Sequence, residues 1–459
     1  MRKVCCLFIL FLSLSAFAQE NYMEKANYYY SKLDYEKAFE YYLLELESRP
    51  NQYKYVKNRL QTLLLYDVNK SIADELRIAL LKKTQEKPEN EEFARLLMWL
   101  ALQQEDYDIA LEQGKSLDRR FDDQDSQIIT IAHICYDNAQ YELAKDAFDY
   151  LIAKGKINPY YGDAMVGSVK TESRLCKINH VEDKATYERL SRRIEDAYSE
   201  IGSKEYPNLA EIHADIMAYH LDQAPQAIEL LQKVIGQTTS KIQQNQLKLK
   251  LADIYLFTDE VWEATLLYSQ VDKSMKEEPL GHEARFRNAQ LRYFIGEFAW
   301  AETQLNVLKA ATSKLIANDA MSLSLIISDN LEYDTTGMEL KRLATADYKI
   351  YQHKDSEALP ILEAINLDGN EISKPHALYR LAELKAKKQD YSTADSLYLQ
   401  IVRQFPDSYM ADDALMQAAL LEHQQLKDRE AAKQHYEQLI DQYPTSLYTA
   451  QAKKNFRKL

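Results

Sequence analysis

The sequence predicts an all-α protein built from stacked helical hairpins, and three observations lead to this fold class. Glycine is scarce, with 10 among 459 residues, where about 7% is ordinary usage. An alanine placed three positions after a large residue recurs at nearly constant intervals, and proline follows several of these alanines at one fixed distance. Few positions are therefore expected to need positive φ. Long helices joined by short turns are favoured over glycine-rich nucleotide-binding folds.

Residues 1–18 have the features of a secretory signal peptide. Arg2 and Lys3 give a positive start, an apolar run covers residues 4–14, and cleavage is expected between Ala18 and Gln19. The apolar run is shorter than the roughly 18 to 20 residues that span a bilayer. The mature chain is therefore expected to be soluble and periplasmic, or secreted, without a transmembrane segment.

The recurring alanine, here called the marker alanine, is illustrated by Tyr35 and Ala38. Many marker alanines have a second alanine twelve residues earlier and an aromatic residue four residues later. The four-residue step places alanine and aromatic on one helix face, where small residues let two helices cross closely. Marker alanines after Ala38 lie at positions 110 and 144, at 227, 264 and 301, and at 358, 394 and 432. Prolines twelve residues after a marker are expected to end the second helix of a pair, and these are Pro50, Pro406 and Pro444.

This order of small residue, small residue, aromatic and proline in a unit of about 34 residues resembles the tetratricopeptide repeat. The resemblance is strong over residues 22–52, 248–310 and 376–446 and weak over 53–90, 155–207 and 311–340. It implies an α-α superhelix, a TPR-like solenoid of about eleven helical hairpins, whose concave side binds the partner.

Two segments carry narrower resemblances. The last two units, with Arg403-Gln404-Phe405-Pro406 and Asp441-Gln442-Tyr443-Pro444, are similar to repeats of periplasmic proteins of outer-membrane assembly and Tol-Pal-linked constriction. The segment 318–347 resembles a repeat family common in Bacteroidetes.

The strength of the repeat pattern divides the mature chain into five segments. These are an N-terminal repeat segment 19–154, degenerate repeats or a hinge at 155–207, a central repeat segment 208–310, an irregular repeat at 311–345 and a C-terminal repeat segment 346–459. Four of the ten glycines lie in 155–207, which favours a bend or boundary there.

No enzyme signature is present in the mature sequence, which has no phosphate-binding loop, no His-Glu-x-x-His and no Gly-x-Ser-x-Gly. No catalytic residue, cofactor or metal is therefore expected. His213 and His220 share a helix face and could bind a metal, although surface or core positions are favoured for them. Cys135 and Cys176 either pair or remain as thiols, with Cys135 suited to a core.

The formal net charge of -14 disfavours nucleic acid and anionic lipid as partners. One exception is the basic tail at residues 453–458, which is typical of a solvated chain end.

Tyrosine is abundant, with 33 residues against 13 phenylalanines. Amphipathic rings and amides suit the binding of an extended peptide or a partner helix. By the family resemblance, the inward-facing groove positions are Asn27, Tyr30, Asp253, Leu256, Gln290, Tyr293 and Glu383. The lysine and asparagine clamp of chaperone-tail-binding relatives cannot be assembled from these positions.

The expected function is therefore an exported, non-catalytic scaffold that binds partner proteins or peptides through its concave groove, in cell-envelope assembly or maintenance. The alternative is a peptidoglycan- or glycan-associated binding protein in which groove tyrosines stack on sugars. An enzyme with its active site in 155–207 is disfavoured, because that stretch shows no nucleophile beside a base.

Overall fold

The structure is a computed structural model that describes residues 21–65, 67, 71–121, 125–179, 181, 183–201, 205–309 and 314–459. The predicted signal peptide and its cleavage point at Ala18 and Gln19 lie outside the described residues. Contacts divide the chain into two compact units. The first contains Met1–Asn179 and Glu195–Glu205, and the second contains His180–Ile194 and Tyr206–Leu459.

The first unit is a succession of helices, most of which pair with the next helix along the chain. Its helices are α1 (Tyr22–Ser31), α2 (Tyr35–Ser48), α3 (Tyr53–Leu64), α4 (Ser71–Glu86), α5 (Glu91–Gln103), α6 (Tyr107–Phe121), α7 (Asp125–Asp137), α8 (Tyr141–Ala153) and α9 (Tyr161–Ile178). A 3₁₀ turn, Pro50–Gln52, separates α2 from α3. Helix α10 (Lys184–Ala197) contains the boundary between the two units.

The second unit continues the same arrangement. Its helices are α11 (Tyr206–His220), α12 (Ala224–Gln237), α13 (Lys241–Phe257), α14 (Val261–Ser274), α15 (Pro279–Phe294), α16 (Phe298–Leu308), α17 (Lys314–Tyr333), α18 (Met338–Tyr351), α19 (Asp355–Asp368), α20 (Ser373–Lys387), α21 (Tyr391–Gln404), α22 (Ala411–Leu421), α23 (Arg429–Gln442) and α24 (Thr449–Phe456). A π-helical turn, Glu422–Leu426, follows α22. The described chain is thus all-α, which confirms the predicted fold class, while the number of eleven hairpins stays a prediction.

The core follows the marker alanines. Each marker alanine is fully buried, and the aromatic residues that follow by four positions, such as Tyr42, Phe148 and Tyr268, are about 1% exposed. Because the alanine has only a methyl group, the neighbouring helix approaches closely and the aromatic ring fills the remaining space. The predicted role of this pattern in helix packing is confirmed.

The prolines stand where they were expected. Helices α2, α21 and α23 end at Ser48, Gln404 and Gln442, each two residues before Pro50, Pro406 and Pro444. A proline at this position cannot continue the helix, because it lacks the backbone N–H and its ring clashes with the preceding turn.

The turns inside the hairpins overturn one expectation. Few positions were expected to need positive φ, yet eight non-glycine residues in the described chain have φ between 57° and 71°. Each lies five residues before a marker alanine, and the N–H of the next residue closes a hydrogen bond back to the helix, as Asp34 does to the carbonyl oxygen of Tyr29 at 3.1 Å. This hydrogen bond and the packing of the hairpin outweigh the cost of about 1 kcal/mol for a left-handed residue. The eight residues are Leu33, Glu105, Ala139, Asp222, Asp259, His353, Gln389 and Lys427.

Two stretches with a weak repeat pattern contain irregular packing. Helix α4 packs mainly on α2 and α5 and makes few contacts with α3, the helix that precedes it. Helix α17 is an additional, single helix that packs on α16, so that α18 contacts α15. This additional helix accounts for the long interval between the marker alanines Ala301 and Ala358.

Among the described residues, Cys135 and Cys176 are both buried and are not joined by a disulfide. Burial raises the pKa of Cys135 to about 11. None of the helices in the described parts of the chain is long and apolar enough to cross a membrane.

Candidate partner-binding site

The end of α18 covers part of the surface that the first helices of the hairpins form in the second unit. Tyr348 donates a hydrogen bond from its hydroxyl to the carbonyl oxygen of Leu256 at 2.9 Å. The hydroxyl of Tyr351 donates to the carbonyl oxygen of Asp253 at 3.1 Å. Gln352 donates from Nε2 to the carbonyl oxygen of Phe257 at 3.3 Å. The end of α18 therefore lies directly on the last two turns of α13.

Aromatic rings complete this contact. Phe294 of α15 stacks on Tyr348 with ring centroids 5.2 Å apart. On the other side, His353 lies 5.4 Å from Phe257 and 5.7 Å from Tyr219 of α11. Rings from α11, α13 and α15 and from the end of α18 thus fill the surface on which the binding groove was expected.

Two predicted groove residues belong to the core. Leu256 and Tyr293 are each 1% exposed, so the expectation that they face an open groove is wrong. Leu256 lies beneath the covering Tyr348. The ring of Tyr293 packs beside Phe294 and Phe298, and its hydroxyl donates to Asp347 Oδ2 at 2.9 Å.

The other predicted residues of the second unit differ in their exposure. Asp253 is 8% exposed and is bound by neighbouring side chains. Gln290 is half-buried, and Glu383 is exposed and accepts a hydrogen bond from Arg380 at 2.9 Å. Their participation in binding stays a prediction.

In the first unit, the predicted residues Asn27 and Tyr30 are both half-buried. Asn27 Oδ1 accepts hydrogen bonds from the hydroxyl of Tyr42 at 2.8 Å and from Arg59 Nη2 at 2.9 Å. Tyr30 packs against the core at the start of the chain. Asn27 is therefore engaged within the fold.

A series of ion pairs joins successive first helices of the second unit, and the sequence analysis did not anticipate it. Lys250 Nζ lies 2.9 Å from Asp215 Oδ1, and Arg380 Nε lies 2.9 Å from Asp347 Oδ1. Between them, Asp253 pairs with Arg287 and accepts a hydrogen bond from Tyr268 at 2.7 Å. Burial raises the pKa of Asp253 above its ordinary value, against the opposing effect of Arg287.

These ion pairs have a recognisable sequence signal. Each acid directly follows an alanine of a first helix, and each cation lies two residues before the corresponding alanine of a later first helix, as in Lys250-Leu251-Ala252-Asp253. The same geometry appears in the first unit, where Asn27 replaces the acid and binds Tyr42 and Arg59. The pattern stabilises contacts between neighbouring hairpins.

The two histidines considered as a metal pair have separate environments. Nε2 of His213 lies 2.8 Å from the hydroxyl oxygen of Ser191, and the His220 ring stacks on Tyr187 at 3.8 Å. His213 is 3% exposed, and burial lowers its pKa to about 4.

The buried His213 predicts an acid-sensitive fold. An unfolded histidine titrates near 6.5, so the neutral form stabilises the fold above that pH and the stability is lost as the pH falls from 6.5 to 4. Relative to a His213→Gln variant, which does not titrate there, the wild-type free energy of unfolding should fall by about 3 kcal/mol over this window. Urea unfolding of both proteins at several pH values measures the difference. If the free energies of unfolding of the two proteins change in parallel with pH, the predicted effect of His213 is contradicted.

The described residues do form an open groove in the first unit, between α2 and α4. Its volume is about 650 Å³. The buried side chains of Phe39 and Leu43 lie at its base, and Ile78, 66% exposed, lies on its wall. The groove is lined by Glu36, Phe39, Glu40, Leu43, Glu75, Ile78, Ala79, Lys82, Lys83 and Glu86. No sequence pattern had indicated it, because it depends on the unusual packing of α4 on α2.

Repeated hairpins with buried marker alanines define this molecule as an α-helical repeat protein. The family model "Tetratricopeptide repeat" matches residues 376–408 and 413–446, which contain the hairpins α20–α21 and α22–α23. Residues 376–446 therefore contain tetratricopeptide repeats, as the sequence resemblance implied.

Several solved structures are similar to this chain at low sequence identity and low TM-score. A tetratricopeptide repeat protein from Parabacteroides merdae is 10% identical, with 64% of this chain and 98% of that chain covered and a TM-score of 0.32. The C-terminal part of a repeat-containing protein from Cytophaga hutchinsonii is 15% identical, with 62% and 99% covered and a TM-score of 0.31. The apo quorum sensor NprR from B. thuringiensis is 14% identical, with 80% and 97% covered and a TM-score of 0.40.

No curated protein matches the chain. The similarity to these solved structures identifies no partner. The narrower resemblance to outer-membrane-assembly and Tol-Pal-linked proteins stays a prediction.

Proposed function

We propose that this chain is an exported, non-catalytic scaffold of the cell envelope that binds a partner protein on its first unit. The observation that carries the proposal is the α2–α4 groove, which combines an apolar base with an exposed isoleucine and charged edges. Tetratricopeptide repeats act by presenting surfaces to other proteins. The signal peptide predicted at residues 1–18 and the resemblance of the last two repeats to periplasmic proteins support export and an envelope role.

The location on the first unit replaces the groove that the sequence analysis favoured. In the second unit, Leu256 and Tyr293 are buried and α18 covers α13. A peptide could reach these positions only by displacing Tyr348 and Tyr351. The α2–α4 groove is already open, so binding there needs no such rearrangement.

The test is an affinity capture from envelope extract with the mature chain, residues 19–459. Ile78→Gln places a polar amide on the groove wall. We expect proteins that the wild-type chain captures specifically to be missing from the capture with this variant. Ile157→Gln is the matched control, because Ile157 is 99% exposed in the same unit and lies outside the groove. Equal capture by both variants and the wild type would overturn the assignment to this groove.

A stack of tyrosines supports the glycan-binding alternative. The rings of Tyr29 and Tyr41 are 5.4 Å apart and nearly parallel, at 3°, and Tyr22 stacks on Tyr41 at 6.4 Å. Half-buried planar rings of this kind can stack on a sugar face. The test is sedimentation of the mature protein with peptidoglycan. Sedimentation that is lost in the Tyr41→Ala variant, together with an envelope capture that yields no specific protein, would favour this second function.

A further inference from the structure

One face of α4 is open along three helical turns. Glu75, Ile78, Lys82 and Glu86 follow each other at three- and four-residue spacing, so they lie on one side of the helix. All four are exposed. At 1.5 Å per residue, the distance from the first to the last is about 16 Å. The open face therefore matches a partner helix of about three turns.

The base of the groove is apolar and buried. Phe39 and Leu43 of α2 are each 1% exposed and belong to the core of the first hairpins. Helix α4 is fixed against α2 by its own buried residues Leu76 and Leu80. An occupant would therefore meet a preformed surface, on which Ile78 offers the largest exposed apolar side chain.

The edges of the groove are acidic. Glu36 and Glu40 of α2 and Glu75 and Glu86 of α4 are exposed, and none has an ion-pair partner among the residues that the structure describes. Of the two lysines that line the groove, Lys83 is already paired with Glu47 at 3.3 Å. Four carboxylates thus flank the apolar base, and Lys82 is the cation that offsets them.

We propose that the α2–α4 groove binds a basic amphipathic helix of a partner protein. Apolar side chains of that helix cover Ile78 above the buried base of the groove, and its lysines or arginines face the four glutamates. Burial of the exposed Ile78 side chain contributes an apolar term to the binding free energy, while the opposite charges set orientation and select against acidic helices. This inference rests on the proposed function and specifies its partner.

The test uses the purified mature protein and two synthetic helical peptides of fourteen residues. One carries leucines on one face and lysines on the other, and the second replaces every lysine by glutamate. Fluorescence anisotropy should show saturable binding of the lysine peptide, weakened by added salt, and no binding of the glutamate peptide. Ile78→Gln should weaken the binding of the lysine peptide. A triple variant with Glu36, Glu40 and Glu75 changed to glutamine should weaken it by about tenfold.

The matched control changes three exposed acids outside the groove, Glu430→Gln, Glu437→Gln and Asp441→Asn, which alters the net charge equally. We expect this variant to bind the lysine peptide as the wild type does. Equal weakening in both triple variants would show general electrostatic attraction and overturn the inference.

Self-association is the other occupant to be tested, because the exposed basic residues near the C-terminus could enter the groove of a second copy. The measurement is the molecular mass in solution at several protein concentrations. A mass that rises with concentration in the wild type and stays that of a monomer in the groove triple variant would show that a second copy, and not a partner helix, occupies the groove. If Ile78→Gln abolishes the capture of envelope proteins while the lysine peptide fails to bind, the proposed function stands and only the basic helix is overturned.

Discussion

Gly281→Ala should lower the free energy of unfolding by about 3 kcal/mol, because the site has no space for a methyl group. The N–H of Gly281 donates to the carbonyl oxygen of Glu278 at 3.0 Å, and the N–H of Glu278 donates to that of Met275 at 2.9 Å. These two turns bring the carbonyl group of Met275 against the α-carbon of Gly281. A Cβ there would lie inside the contact distance of the Met275 oxygen. Since this neighbour is backbone, the junction between α14 and α15 would have to shift.

Gly236→Ala is the control for this substitution. Gly236 lies in α12, and a Cβ at this position would have no atom within 4 Å apart from its own helix and chain neighbours. Alanine is the better helix former, so we expect Gly236→Ala to raise the free energy of unfolding by about 0.5 to 1 kcal/mol. Urea unfolding of both variants measures the contrast. A Gly281→Ala protein as stable as the wild type would show that the junction relaxes without cost.

The hairpins could be predicted from the sequence because their signals are local. A marker alanine, its aromatic partner four residues later and a following proline all act within one hairpin, and the structure buries Ala38 and Tyr42 and ends α2 before Pro50 as expected. The same locality explains the two family matches at residues 376–446.

The covering of the expected groove in the second unit could not be predicted in the same way, because it depends on parts of the chain that are distant in sequence. Tyr348 lies about ninety residues from the Leu256 that it covers, and no periodic pattern encodes that approach. The additional helix α17 changes which helix follows α16 in the packing and lets α18 contact α15. Family positions such as Tyr293 therefore become core in this chain.

Glycine content also proved a poor guide to the turns. At Gly296 the hairpin uses glycine with φ of 83°, but Leu33, Ala139 and His353 occupy the same turn position with φ near 58°. Hydrogen bonds that close the end of the first helix hold the left-handed residue in place. The scarcity of glycine therefore does not prevent this turn, because other residue types adopt its left-handed conformation.

The ion pair between Asp253 and Arg287 is expected to give the other large effect. Asp253 is 8% exposed, so Arg287→Met would leave a buried carboxylate without its guanidinium partner and should lower the free energy of unfolding by about 3 kcal/mol at pH 7. The pKa of Asp253 is already raised by burial, and losing the cation would raise it further. Because the pKa of Asp253 is raised in the folded state, protonation of this carboxyl group favours the fold. Its contribution to stability is present below pH 3.8, the ordinary pKa of the group, and is lost as the pH rises through the folded-state pKa. The deficit should therefore shrink as the pH is lowered toward 4.

The decisive comparison adds Asp253→Asn to the Arg287→Met variant. In the first hairpins Asn27 occupies the equivalent position and accepts the Tyr42 hydroxyl at 2.8 Å, so an amide at 253 can accept the hydroxyl of Tyr268 without a buried charge. We expect the double variant to recover most of the lost stability in urea unfolding and to lose the pH dependence of the single variant. If the double variant is as unstable as Arg287→Met, the loss comes from the packing of the arginine side chain, and the charge of Asp253 is not its cause.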